Sequence, residues 1–267
     1  MKNISAILII LSICISQHLR AGVVLEMVTK NATGTETETS RIYAESGKVR
    51  IDNIGGSHNS ETSIIFRDEQ LLMLNHKDKT YSIMDDAMFD EMNSQMSAAM
   101  RQMEEQMAKV PPEQRAMMER MMKGRMKTFA PSPQVTPTFR VDALGLSEWG
   151  PYSCTQYAVY DNTEKVQEVC AASMDQIEGS GEVMGAFKAM AEFMKKMTAS
   201  LPFASGMTGS PTEMMDQFDG FPVHTLHYNN GKLRQEVSLE SATEQALGED
   251  LFNPPVGYQR QDMMKPR

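Results

Sequence analysis

Six short runs of partly alternating apolar and polar residues fill positions 22–83, and they constrain the fold more than any other feature of the chain. The runs are GVVLEMVTK, TSRIYAE, KVRIDN, ETSIIFR, QLLMLNH and KTYSIM. Between them stand Asn31 to Gly34, Ser46-Gly47, Gly55-Gly56 with Ser57, Arg67-Asp68-Glu69, and His76 to Asp78. Alternation puts successive side chains on opposite faces of a strand, and the intervening residue types favour tight reversals. The block therefore reads as an antiparallel meander whose polar face meets water or helices.

From residue 84 to 130 the vocabulary changes to Met, Glu, Gln, Lys and Ala, which favours helix. Pro111-Pro112 divides this block into two helices, and PSPQVTPT at 131–138 reads as a linker. Strand patterns resume from Phe139 to about Ser173. A further helix is expected over about 182–201, followed by the loop ASGMTGSP at 204–211. The last strand region contains FPVHTLHY, a turn at Asn229-Asn230-Gly231, and KLRQEVSLES. Helical insertions flanked by strands are placed most economically on the face of one sheet. The expected class is α+β, with residues 22–267 forming a single domain.

The chain contains 25 methionines, a large excess for its 267 residues. Met84, Met88, Met92, Met96, Met100, Met103 and Met107 recur at helical intervals and fall within an arc of roughly 160°. Met117, Met118, Met121 and Met122 follow on the next helix. Met184, Phe187, Met190, Met194 and Met197 do the same on the later insertion. Four readings of these faces stay open. They can pack as core against a sheet, or adapt to varied apolar guests, because unbranched thioethers repack easily. They can also ligate copper(I), for which Met117, Met118, Met121 and Met122 have suitable one-turn spacing, or act as an oxidant sink.

Residues 1–21, MKNISAILIILSICISQHLRA, have the short basic start, apolar stretch and small residue of a secretory signal. No later run is long and apolar enough for a transmembrane helix, so the mature chain is expected to lack one. Cys154 and Cys170 remain after removal of the signal. They flank two alternating runs that reverse near Asn162, a spacing that places them directly opposite each other and predicts a structural disulfide.

Net charge is −9, which argues against a nucleic-acid partner. No H-E-x-x-H or G-x-S-x-G motif occurs, and Gly179-Ser180-Gly181 reads as a loop and helix start. His224 and His227 resemble a ligand pair, but strand positions three apart face opposite ways. No enzyme activity and no cofactor are expected.

Two stretches resemble a known family. Gly150-Pro151-Tyr152-Ser153-Cys154-Thr155-Gln156-Tyr157, leading to Glu168-Val169-Cys170, is similar to its central hairpin. Gly220-Phe221-Pro222-Val223, Asn230-Gly231-Lys232 and Phe252-Asn253-Pro254-Pro255-Val256-Gly257-Tyr258 with Asp262-Met263 are similar to its closing pattern. The family comprises exported bacterial proteins carrying domain of unknown function 4412. Its fold resembles the periplasmic lipoprotein carriers LolA and LolB. The resemblance implies a curved antiparallel half-barrel sheet with helices over its concave face, in the periplasm of a Gram-negative bacterium. It implies a partner that is an apolar small molecule, a lipid or a lipid-modified protein; taken with the apolar helix faces, this favours the reading in which Met84 to Met107, Met117 to Met122 and Met184 to Met197 line the guest site. It transfers no catalytic or binding residue.

Overall fold

The computed structural model describes residues 21–55, 62–108, 139–199 and 218–262. The first six strands are β1 (Gly22–Asn31), β2 (Thr37–Glu45), β3 (Lys48–Gly55), β4 (Thr62–Arg67), β5 (Gln70–Asn75) and β6 (Thr80–Met84). Helix α1 (Asp86–Ala108) precedes a second meander of β7 (Phe139–Trp149), β8 (Tyr152–Asp161) and β9 (Glu164–Ala172). Helix α2 (Ser180–Ala199) follows, then β10 (Phe221–Asn229), β11 (Lys232–Gln245) and β12 (Gln259–Arg260).

These twelve strands join one open sheet in the order β12-β6-β5-β4-β3-β2-β1-β11-β10-β9-β8-β7. The two meanders meet where β1 pairs with β11, ten residues in register around a bulge at Glu26/Met27. Neighbours are antiparallel throughout, except that the short β12 lies parallel to β6. The class is therefore α+β with a large open antiparallel sheet, and its helices are inserted between β6 and β7 and between β9 and β10.

Cross-strand register explains how a modest apolar content makes a core. Val23 pairs with Ala44, Ala44 with Val49, Val49 with Phe66, Phe66 with Leu71, and Leu71 with Met84. That row crosses six strands, and its first five members are buried. The opposite face carries Ile65, Leu72 and Leu74, which close around Phe252 together with Tyr43, Tyr81, Ile83, Leu247 and Leu251. The C-terminal segment is thus a strap across the back of β3 to β6. Arg50 Nη1 donates to the Leu251 carbonyl at 2.9 Å, Arg67 Nη1 donates to Asn253 Oδ1, and His76 Nδ1 meets the Tyr258 hydroxyl at 2.7 Å. Of the closing pattern seen in the sequence, Phe252, Asn253 and Tyr258 make these strap contacts, whereas Phe221 to Val223 begin β10 and Asn230 to Lys232 turn the chain into β11.

Two glycines are fixed by close approach. Gly179 has φ +65°, and a Cβ there would lie 1.9 Å from Val23 Cγ2. Gly220 has φ +130°, and a Cβ would lie 2.3 Å from the Ala172 carbonyl oxygen. Neither position accepts a side chain without displacing its neighbour.

Two expectations need correction. Cys154 and Cys170 are not directly opposite: Cys154 pairs with Ala172 and Cys170 with Gln156. The turn centres between Asn162 and Thr163, and a bulge at Val159/Tyr160 adds a residue to β9, so the cysteines become diagonal neighbours. They still form a disulfide, with Cα atoms 5.5 Å apart. Met84 is not helical; it ends β6, because Asp85 caps α1 by accepting the Met88 N–H at 3.0 Å. The signal segment up to residue 20, the helix after Pro111-Pro112, the linker at 131–138 and the loop at 204–211 lie outside the described residues.

Candidate functional site

The methionine-bearing helices lie against β1 to β6. At the start of α2, Ser180 Oγ donates to the Met174 carbonyl at 2.7 Å, and the Ser46 backbone N–H donates to Glu182 Oε1. The first turn of the helix is thereby tied to the β2–β3 reversal. Periodicity then carries Val183, Ala186, Phe193 and Met197 into full burial. Met184, Phe187, Met190 and Met194 flank them, half-buried, against the same core. From α1, Phe89 is buried, and Met88 and Met92 pack beside it.

Beneath the helices the floor is graded. The row from Val23 to Leu71 is buried, whereas the next row changes along its length. Leu25 pairs with Ile42, Ile42 with Ile51, Ile51 with Ile64, and Ile64 with Met73. Leu25 is fully buried, Ile42, Ile51 and Ile64 are half-buried, and Met73 is 46% exposed. An apolar strip on the sheet thus runs out from under the helical cover formed by the described residues.

An ion-pair group joins the two helices at the β4–β5 turn. Lys196 Nζ lies 3.0 Å from Asp86 Oδ2 and 3.6 Å from Glu69 Oε2. The hydrogen bond to Asp86 raises the Lys196 pKa. All three side chains are more than half exposed, so the group orients the helix ends more than it stabilises the fold.

Of the methionines picked from the sequence, Met84, Met88, Met92, Met184, Met190, Met194 and Met197, with Phe187, converge on one core cluster. Met96 is half-buried on α1 but stands outside that cluster. The side chains of Met100, Met103 and Met107, and the whole of Met117, Met118, Met121 and Met122, lie outside the described residues. The floor residues Ile42, Ile51, Ile64 and Met73 escaped notice as a site. Their signal was the two-residue alternation of β2 to β5, which marks a face without saying what covers it.

His224 and His227 separate as their spacing requires. His224 pairs with Cys170, whereas His227 pairs with Gln167 and accepts a hydrogen bond from Gln167 Nε2 at Nδ1, 3.3 Å away. Burial lowers the His227 pKa, because it penalises the charged ring. Among the described residues, no group of three or more His, Cys, Asp or Glu could hold a metal ion. None of their helices is long and apolar enough to cross a membrane.

Several solved structures show distant likeness. An uncharacterized conserved protein from Thermus thermophilus aligns over 91% of this chain and 91% of its own, at 8% identity and a TM-score of 0.46. A chain of the Pseudomonas aeruginosa MucA/MucB complex aligns over 88% of this chain and 56% of its own, at 10% identity and a TM-score of 0.39. A LolA superfamily protein from Nitrosomonas europaea aligns over 87% and 89%, at 5% identity and a TM-score of 0.31. No curated protein has a sequence that matches this chain. A family model, by contrast, matches residues 85–258, from α1 through the second meander to Tyr258 in the strap. The chain belongs to the family defined by the domain of unknown function DUF4412.

Proposed function

We propose that this chain is an exported, non-enzymatic binding protein of the Gram-negative periplasm that holds an apolar guest between its methionine-faced helices and its sheet. The guest is an acyl chain, free or carried by a lipid or lipid-modified protein. In this reading the open sheet curves as a half-barrel and the helices lie over its concave face.

The observation that carries the proposal is the graded floor. The row from Leu25 to Met73 passes from full burial to 46% exposure, while Met184, Met190 and Met194 stay half-buried beside the core. A layer that served only as core would seal this row. Thioethers at its margin adapt to guests of different shape at little cost. The disulfide between Cys154 and Cys170 fits an oxidising compartment.

The test is titration of the full chain with a fluorescent acyl probe whose emission rises in apolar surroundings. Saturable binding, displaced by unlabelled fatty acid and weakened at least tenfold by Ile64→Asn or Met190→Gln, supports the proposal. Absence of binding, or binding indifferent to both substitutions, contradicts it. Thermal melts of the variants separate lost binding from lost folding.

A further inference from the structure

β7 to β10 enclose an open cleft of about 200 Å³ whose lining comes from strand residues. Register shows how it arises. Gly145, Gln156, Cys170 and His224 form one cross-strand row, and Ala158, Glu168 and Leu226 lie in the next. Gly145 brings no side chain to its row.

One wall is aromatic and firmly held. Trp149 stacks on His224 with ring centroids 3.5 Å apart and planes within 8° of parallel. His224 Nε2 in turn lies 3.0 Å from Glu236 Oε1. Leu226 and Cys170 supply apolar surface, and Ser147, Gln156 and Glu168 supply polar groups.

The polar groups differ in what they have left to give. Glu168 binds the Lys165 ammonium through Oε1 and accepts from the Tyr228 hydroxyl at Oε2, 3.3 Å away. Glu236 is engaged by His224. Glu168 and Glu236 are therefore answered within the protein. Glu148, the other carboxylate of the lining, stands at the alternate position of β7 between Ser147 and Trp149, so its side chain leaves on the opposite face. An organic cation would find little unspent charge on this face. The Gln156 side chain is half-buried, lines the cleft and has no hydrogen-bond partner among the described residues; the same holds for the Ser147 hydroxyl. The Gln156 amide offers two donors and an acceptor to whatever enters.

We propose that this cleft binds a neutral polyhydroxylated ring, a single saccharide unit. The C–H face of such a ring packs on an aromatic or aliphatic wall, while adjacent hydroxyls both give and take hydrogen bonds. Trp149 and Leu226 meet the first need; Gln156, Ser147 and the spare lone pairs of Glu168 meet the second. A purely apolar guest would leave the Gln156 amide desolvated and unpaired. The cleft lies below the range of roughly 300–1,000 Å³ usual for larger ligands, which limits the occupant to about one ring. No described residue of α1 or α2 lines this cleft, although its Trp149 and Cys170 also border the core that the helices share, and the proposal does not depend on the function proposed for the helix–sheet layer.

Trp149 is the chain's single tryptophan, so intrinsic indole emission reports from this wall of the cleft. The full chain is titrated with the methyl glycosides of glucose, galactose and N-acetylglucosamine, and with choline as a cationic control. The expected result is a saturable emission change with at least one glycoside, weakened about five- to tenfold by Gln156→Ala. The melting temperature of that variant should match the wild type. Ligand-observed NMR on Trp149→Phe, which is silent in indole emission, should show the glycoside signal reduced. The proposal is overturned if none of the glycosides gives a saturable change, if choline alone saturates the signal, or if Gln156→Ala binds like the wild type.

Discussion

The ring of Phe193 on α2 lies over that of Phe66 on β4, with centroids 5.5 Å apart and planes tilted by 46°. Both residues are 4% exposed, so this contact joins helix to sheet at the centre of the core. Phe193→Ala should destabilise the chain by about 3–5 kcal/mol, and Phe193→Leu by distinctly less. Denaturant midpoints with unchanged slope measure the difference. A loss below about 1 kcal/mol for the alanine variant would mean that α2 is not packed as described.

Gly179 gives a sharper geometric test. An added Cβ meets Val23 Cγ2 at 1.9 Å, and the backbone there is left-handed at φ +65°. Gly179→Ala should cost about 2 kcal/mol or more, combining the clash with the cost of the left-handed conformation. Adding Val23→Ala should recover part of that loss, because it removes the opposing methyl groups. Strict additivity of the two losses would place the residues out of contact.

Replacing Cys154 and Cys170 together by serine should lower stability by about 3 kcal/mol, the chain-entropy value for a loop of this size. Reducing agent should destabilise the wild type by a similar amount and leave the double variant unchanged. Equal sensitivity of the two proteins would show that the bond does not form.

Acid should act partly through His227. Its folded pKa lies below the ordinary value of 6.5 because burial penalises the charged ring. Between the two values the unfolded chain binds more protons than the folded one, so stability falls as pH drops through that window. His227→Gln should flatten this part of the stability profile, as read by denaturant midpoints between about pH 7 and 5. An unchanged slope would assign the effect to other groups.

Much of this fold was legible because strand alternation and turn chemistry are local. The runs of the first meander match its six strands to within a few residues, and those for β7 to β11 and the start of α2 do the same. What escaped depends on longer-range or cooperative geometry. The bulge at Val159/Tyr160 and the late turn centre together shift the partner of Cys154 by two residues, and no count of spacings shows where an extra residue will be absorbed. The Asp85 cap cuts Met84 from the helix although Met84 obeys the helical period. The pairing of β1 with β11 joins residues some two hundred positions apart, and the strap around Phe252 is anchored by arginines on strands equally remote in sequence. Of the site, the apolar faces of the helices could be read. The floor formed by Ile42, Ile51, Ile64 and Met73 becomes visible only once register aligns four strands.

The most direct test of the central claim is native mass spectrometry of the protein recovered from the exporting cell without detergent. The account predicts a population heavier than the bare chain by the mass of an acyl-bearing molecule, released on gentle activation and depleted by Ile64→Asn. A bare-chain mass for the wild type, persisting after incubation with fatty acid or lipid-modified peptide, would contradict it.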